Sequence, residues 1–225
     1  MAEKIIKIAG LDLSIASSGV IVETLDDNFD VLDLDYLGFT QKKKDASEKI
    51  HYYKNKDYRD NYEKYIDFSD KIIDFIEDCD YIAFEDYGYA AKGYVFNLAE
   101  FEGYVKIRSY LAGKKMRLYA INSIKKFFSL NGNSDKISMA KAFNKFEGVK
   151  PDISCLPEVT SGTGASPTSD IIDGFAVCEF LRKELKIRHG IESLNDQHLK
   201  VLECFNSITK DCPNGLLVKE FIQKK

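Results

Sequence analysis

Four carboxylates are the residues of this chain whose types and spacing suggest chemistry. Asp12 and Glu85 each end a short apolar run, whereas Asp170 and Asp173 lie three residues apart in one segment. Carboxylate oxygens are the ligands that Mg²⁺ prefers, and two such ions can assist the cleavage of a phosphate ester. The four acids therefore predict metal-dependent cutting of a nucleic-acid phosphate.

The segments around the acids predict how they come together. Residues 4–11 and 81–84 are apolar runs typical of buried strands, and each run leads into an acid. Acids at the ends of neighbouring strands can converge. Asp170 and Asp173 follow a run rich in Gly, Ser and Thr and precede an apolar helical run, so they are predicted on one face of a first helical turn.

Each acid also has an ordinary structural explanation. An acid at a strand end commonly belongs to a turn. Acids in a first helical turn complement the helix dipole. The combination of all four, in this order, is what favours an active site.

The order of the predicted elements indicates an α/β fold. Strands over 4–12, 19–23 and 31–39 are joined by short turns, as in an antiparallel meander. Strands over 81–85 and 117–121 alternate with helices, which predicts parallel strands and crossover connections. We expect a mixed sheet, three antiparallel strands followed by parallel strands, flanked by helices near 62–78, 95–111, 122–129, 135–146 and 169–187.

Length and composition indicate the class of protein. The 225 residues, 44% of them hydrophobic, allow one substantial core. We expect one domain over 1–189 with a surface insertion near 40–60, and a C-terminal accessory tail over 190–225. No stretch has the roughly 20 apolar residues of a membrane span, and the N-terminus shows no signal-peptide pattern. These features predict a cytoplasmic protein with no membrane partner and no organic cofactor.

Charge is distributed unevenly along the chain. The net charge of −4 does not favour a nucleic-acid partner, because lysine and arginine are the residues that bind phosphates. Residues 101–150, however, hold eleven Lys or Arg against three acids, whereas residues 51–100 hold six against twelve. This distribution favours a basic surface on an acidic protein, although such lysines often form the solvated faces of helices.

Taken in order, these motifs resemble the RuvC-type Holliday-junction resolvases of the RNase H-like superfamily, in particular their phage-like branch. The similarity covers about residues 4–187. It includes the first strand ending in Asp12, the strand ending in Glu85 with the loop that follows, and the closing helix with Asp170 and Asp173. Two lysine-bearing elements over 123–128 and 132–136 complete it.

The resemblance implies an RNase H-like sheet and a catalytic role for the acids. They would hold two Mg²⁺ or Mn²⁺ ions per active site, with a lysine beside the phosphate. Asp12 would lie between the two ions, as the ligand most suited to bridge them. The implied catalytic residues are Asp12, Glu85, Asp170, Asp173 and Lys136, of which the four acids are the metal ligands.

The resemblance also implies the substrate. The chain would cut four-way or branched DNA by paired nicks that leave 5′-phosphate and 3′-hydroxyl ends, in the host cytoplasm if it is virus-encoded. Two symmetric cuts on a two-fold substrate predict a homodimer. Where cellular relatives place an aromatic wedge after the central glutamate, this chain offers only tyrosines. The implied DNA-binding residues are Lys125, Lys126, Tyr87, Tyr89 and Lys92.

Other interpretations of the function remain open on the sequence alone. RNase H and transposase-like nucleases share the same carboxylates, so only the lysine segment and the loop after Glu85 favour a resolvase. Asp12 followed by small residues and Gly19 also resembles the phosphate-binding hairpin of actin-like ATPases and kinases. Those proteins need two such domains, and Asp170 and Asp173 would go unexplained in them. A non-catalytic DNA-binding module would not require all four acids.

Overall fold

A six-stranded mixed sheet forms the centre of the protein. The computed structural model describes residues 5–86, 95–162 and 165–192. The first three strands are antiparallel, and the remaining pairs are parallel. The strand order is β4-β3-β2-β1-β5-β6. The strands are β1 (Ile6–Asp12), β2 (Gly19–Leu25), β3 (Val31–Thr40), β4 (Ile50–Tyr52), β5 (Tyr81–Glu85) and β6 (Lys115–Tyr119).

Helices cover both faces of this sheet. Within the described segments, α1 and α2 pack on one face, and α5 lies across the other with α3 and α4 beside it. The helices are α1 (Asn61–Phe75), α2 (Val95–Leu111), α3 (Ile121–Ser129), α4 (Lys136–Lys145) and α5 (Thr168–Arg188). The predicted mixed sheet flanked by helices is confirmed.

β1 is apolar at nearly every position because both of its faces are buried. Ile6 and Ile8 point into the core beneath α5, whereas Ala9 and Leu11 point into the core beneath α1 and α2. The alternation of a strand therefore assigns each position of β1 to one face. Even-numbered positions face α5.

Three glycines allow the backbone of α5 to lie directly on β1 and β2. A Cβ on Gly10 would lie 2.3 Å from the Cys178 nitrogen, and one on Gly19 would lie 2.0 Å from the Asp170 carbonyl oxygen. A Cβ on Gly174 would lie 2.6 Å from the Gly19 carbonyl oxygen. These contacts are between backbone atoms, which cannot rotate away as a side chain can. The first turn of α5 is thereby held against the start of β2.

The segment predicted as a surface insertion contains a strand that the sequence did not indicate. β4 pairs in parallel with the end of β3, through Gly38 and Ile50. Two short 3₁₀ turns, Lys43–Asp45 and Asn55–Asp57, flank it. A three-residue strand is too short to show an alternation with a period of two, so the sequence pattern does not predict it.

Two further expectations concern the ends and the environment of the chain. Most of the predicted tail, 193–225, lies outside the described residues, so the domain division stays a prediction. None of the helices within the described segments is long and apolar enough to span a lipid bilayer.

Replacing Gly19 by alanine is expected to destabilise the fold. Its Cβ would meet the Asp170 carbonyl oxygen at 2.0 Å, so α5 must move away from β2. Overpacking of this kind costs about 3 kcal/mol of unfolding free energy, measurable by urea denaturation. Gly162→Ala is the control, because a Cβ there meets nothing within 4 Å, and its effect should stay within about 0.5 kcal/mol. Equal stability of the two variants would contradict the packing described.

Candidate active site

Asp12 and Glu85 lie side by side at one edge of the sheet. β1 and β5 are parallel, and Leu11 is in register with Phe84, so both strands end at the same level. Asp12 shares the face of β1 that meets α5, and Glu85 lies on the same face of β5 as Ala83, which belongs to the core beneath α5. Both acids therefore project toward α5.

The first turn of α5 completes the cluster. Gly19 pairs with Asp12 across β1 and β2, and the backbone of Asp170 rests on Gly19. Asp173 follows one turn later on the same side of the helix, as predicted. We refer to Asp12, Glu85, Asp170 and Asp173 as the acid cluster. Three of its members are half-buried and Asp170 is buried.

The acids of the cluster disfavour one another's charge. Burial raises the pKa of Asp12 well above its ordinary range, and repulsion from Glu85, Asp173 and Asp170 raises it further. Burial and then the Asp173 charge raise the pKa of Glu85 to about 8. Burial and then the Asp170 charge raise the pKa of Asp173 to about 6. Additional positive charge at the cluster would therefore be favourable at neutral pH.

Asp170 is held by hydrogen bonds from both sides. The Ser17 hydroxyl lies 2.5 Å from Asp170 Oδ2, and the Ser169 hydroxyl donates to Oδ1 at 3.3 Å. Lys136 Nζ donates to the Ser169 hydroxyl at 3.0 Å and lies 3.8 Å from Asp170 Oδ1. These contacts fix the carboxylate in one orientation at the start of α5.

Two of the predicted lysines face the cluster. Lys136, the first residue of α4, opposes the burial-driven rise in the pKa of Asp12 and Asp173. Lys125 of α3 is half-buried and opposes the same rise in Glu85 and Asp173. The resemblance implied a DNA-binding role for both Lys125 and Lys126. Lys125 lies close enough to the acids to affect their pKa values, whereas Lys126 is exposed at the surface.

The carboxylates of the acid cluster suit a hard divalent cation. Their positions, however, do not form a complete metal site. Carboxylate oxygens are the ligands of Mg²⁺ and Mn²⁺, and the raised pKa values mark a place where added positive charge is favourable. Within the described segments, however, no group of three or more His, Cys, Asp or Glu side chains is placed to hold one metal ion. A cation bound there would use fewer of these side chains or require them to rotate.

Two features of the site have no signal in the local sequence. Ser17 lies in a run of small residues that indicates only a turn, although it contacts Asp170, which is 153 residues away. Glu102 of α2 is also a fifth acid near the cluster: it pairs with Lys106 at 2.5 Å, and its charge adds to the burial-driven rise in the pKa of Glu85. The run of small residues over 14–19 signals a turn, but nothing local signals its distant partner.

Three predicted DNA-binding residues cannot be placed. Tyr87, Tyr89 and Lys92 lie outside the described residues. The resemblance to the phage-like branch depends on the same loop and stays a prediction.

Comparison with known proteins supports the fold. No protein-family model and no curated protein matches the sequence. Thermus thermophilus RuvC has a similar structure, with a TM-score of 0.52, 14% identity, and coverage of 82% of this chain and 97% of that one. The yeast mitochondrial Holliday junction resolvase gives a TM-score of 0.50 at 11% identity, covering 81% and 80%.

The fold is therefore the RuvC-type form of the RNase H-like fold. Its structural neighbours are RuvC and another Holliday junction resolvase, as the sequence motifs predicted. At such low identity the likeness concerns the fold alone, and the catalytic roles of the site residues stay predictions.

The acid cluster should make the metal-free protein less stable as pH rises. The folded state holds a proton on Glu85 up to a pKa of about 8, against 4.5 for the free side chain. Between these values the folded state binds more protons than the unfolded state, so the contribution of Glu85 to stability falls with pH. Glu85→Gln removes this loss. In EDTA, its Tm should exceed that of the wild type by roughly 2–4 °C at pH 8, corresponding to about 1 kcal/mol.

The comparison needs two pH values and a surface control. Near pH 3, below the free side-chain pKa of 4.5, the wild-type and Glu85→Gln melting temperatures should converge, because Glu85 is then mostly protonated in both states. Glu48→Gln removes one carboxylate from an exposed position and should leave the Tm unchanged. A Tm difference for Glu85→Gln that does not grow between the two pH values would show that the electrostatic description of the cluster is wrong.

Proposed function

We propose that this chain is a Mg²⁺- or Mn²⁺-dependent endonuclease that resolves four-way or branched DNA junctions. The observation that carries the proposal is the convergence of four carboxylates and two lysines at one edge of a RuvC-type fold. Buried acids whose pKa values are raised by burial and by one another's charge are typical of functional sites. Two of the structural neighbours with this fold are, by name, RuvC and a Holliday junction resolvase.

In this proposal the acids hold two metal ions once their side chains rotate toward them. Asp12 lies between Glu85 on β5 and the α5 acids, so it is the candidate to bridge two ions. Glu85 would serve one ion, and Asp170 and Asp173 the other. Bound ions would supply an activated water and neutralise charge on the phosphate. The expected products carry 5′-phosphate and 3′-hydroxyl ends.

The lysines have separate roles in the proposal. Lys136 lies within reach of Asp170 and Ser169 and is placed to contact a phosphate bound at the acids. Lys125 lies on the Glu85 side and would contact the DNA backbone. Lys126 is exposed and would reach the backbone farther from the cut.

A choice of substrates tests the proposed activity. The purified chain is incubated in Mg²⁺ with a mobile four-way junction, a linear duplex and an RNA–DNA hybrid, and in a separate reaction with ATP. Paired nicks in the junction are expected. Preferential cleavage of the hybrid would instead indicate an RNase H, and ATP hydrolysis without nicking would favour the actin-like alternative.

Neutral replacements of the acids should abolish cleavage and leave junction binding intact. Asp12→Asn, Glu85→Gln, Asp170→Asn and Asp173→Asn each remove one proposed ligand with little change in volume. We expect a loss of at least about 10²-fold in the cleavage rate, while the Kd for the junction in Ca²⁺ changes by less than about threefold. Asp35→Asn, on an exposed part of β3, is the control. A variant that keeps near-normal turnover would remove that acid from the proposed site.

We also propose that the chain acts as a homodimer formed through the outer face of α2. The inner face of α2 packs on the sheet through Phe101 and Val105. Its outer face is also apolar: Phe96 is 83% exposed, Leu111 77% and Ile107 59%. A helix that is apolar on both sides is one that a second surface covers.

A second copy is the partner that suits this helix. Glu100 is the charged residue within its apolar outer stripe, and Gly103 lies near the midpoint of the helix, where two antiparallel copies would approach closely. In a two-fold pairing Phe96 of one copy would meet Leu111 of the other. Such symmetry also matches a substrate that needs two equivalent cuts.

Ile107→Lys should therefore convert a dimer into a monomer. It places a charge in the middle of the proposed contact, and the mass is measured by light scattering after size-exclusion chromatography. Leu32→Lys is the control, because Leu32 is 57% exposed on β3, away from α2. A monomeric wild type would refute the dimer, and a dimeric Ile107→Lys variant would refute this surface.

A further inference from the structure

The insertion of residues 41–60, between β3 and α1, belongs to the same edge of the sheet as the acid cluster. β2 is antiparallel to β1, and β3 is antiparallel to β2, so β3 ends at the edge where β1 ends. β4 pairs with the last residues of β3. The insertion therefore leaves and re-enters the sheet beside the site, on the β3 side of β1, whereas Glu85 lies on the β5 side.

The insertion is basic, and its positive charges face solvent. It carries seven Lys or Arg against four acids, in a chain whose net charge is −4. One of the acids, Asp45, is buried. Lys54 also lies over the ring of Tyr52, 5.6 Å from its centroid. The exposed lysines are Lys42, Lys43, Lys44, Lys49, Lys54 and Lys56, of which Lys49 pairs with Asp35 at 2.6 Å.

The insertion is fixed to the turn that contacts the acid cluster. The Tyr53 hydroxyl donates to the Ala16 carbonyl oxygen at 2.6 Å and accepts from Gln41 at 3.0 Å. The next residue, Ser17, contacts Asp170. Tyr53 is buried and packs edge-on against Phe68 of α1, with ring centroids 4.8 Å apart. These contacts hold the lysines in a defined place relative to the acids.

The spacing suits the backbone of a nucleic acid. Neighbouring strands lie about 4.8 Å apart, so the end of β3, two strands from β1, lies roughly 10 Å from Asp12. That distance corresponds to about three base pairs of duplex rise. Lys125 lies on the other side of Asp12, beside Glu85 of β5, whereas Lys136 lies at the acids themselves through its contacts with Ser169 and Asp170. The edge thus has acids in the middle and lysines on both flanks.

We propose that the insertion is a second phosphate-binding surface, which holds the DNA arm on the side of the cut opposite Lys125. This inference rests on the proposed DNA-cleaving function and assigns the insertion a role within it. Exposed lysines contact phosphates without reading sequence. The surface would therefore increase affinity for junction and duplex arms alike.

Salt dependence of binding tests this surface. Kd for a four-way junction and for a linear duplex is measured in EDTA at several salt concentrations, for the wild type and for Lys43→Gln/Lys44→Gln. If both lysines contact phosphates, the slope of log K against log salt decreases in magnitude by about 1.8, so that with equal affinities at 1 M salt the variant binds roughly 60-fold more weakly at 100 mM.

A second double variant controls for the loss of net charge. Lys183→Gln/Lys186→Gln removes two lysines from the far half of α5, about 20 Å along the helix from Asp170. Both form ion pairs with partly exposed acids, so their loss should cost little stability. Equal slopes for the two double variants would overturn the inference, as would a wild type that binds neither DNA.

The proposed endonuclease is judged separately. Cleavage is measured in Mg²⁺, and binding in EDTA, so the two results do not depend on each other. A wild type that binds DNA but does not cut it would contradict the endonuclease, while a reduced salt slope in the Lys43→Gln/Lys44→Gln variant would still support the phosphate-binding surface.

Discussion

The contact between the backbone of α5 and strands β1 and β2 is the constraint on which the site depends. Gly10, Gly19 and Gly174 lie where any side chain would collide with a backbone atom. Because no Cβ intervenes, Asp170 comes to rest on the residue that pairs with Asp12. A helix from the end of the domain thereby shares one site with its first strand. Without this close approach the α5 acids would lie too far from β1 to act on its carboxylate.

This packing gathers like charges, and the surrounding structure only partly offsets them. Burial and mutual repulsion raise the pKa of Asp12, Glu85 and Asp173, against the influence of Lys136 and Lys125. The fold thus bears an electrostatic cost that a purely structural protein could avoid. Such a cost is common where residues are arranged for function rather than for stability.

Much of this arrangement could be predicted from sequence, because the relevant signals are local. The apolar runs before Asp12 and Glu85 indicated strands, and the run after Asp173 indicated a helix. β4 could not be predicted, since three residues paired by backbone hydrogen bonds leave no side-chain pattern. Ser17 could not be assigned either. Its contact with Asp170 spans 153 residues, and a hydroxyl in a run of small residues looks like part of any turn.

The sequence by itself determined the chemical types at the site and the elements that carry them, because both are properties of short segments. It determined four acids, their places at strand ends and on a first helical turn, and a basic segment after residue 100. Only the tertiary structure decided which groups meet. In the folded protein Lys125 lies near the acids and Ser17 contacts Asp170. The lysines of the insertion lie at the same end of the sheet as the acid cluster. These relations arise from sheet order and backbone packing, which bring together residues that no local pattern connects.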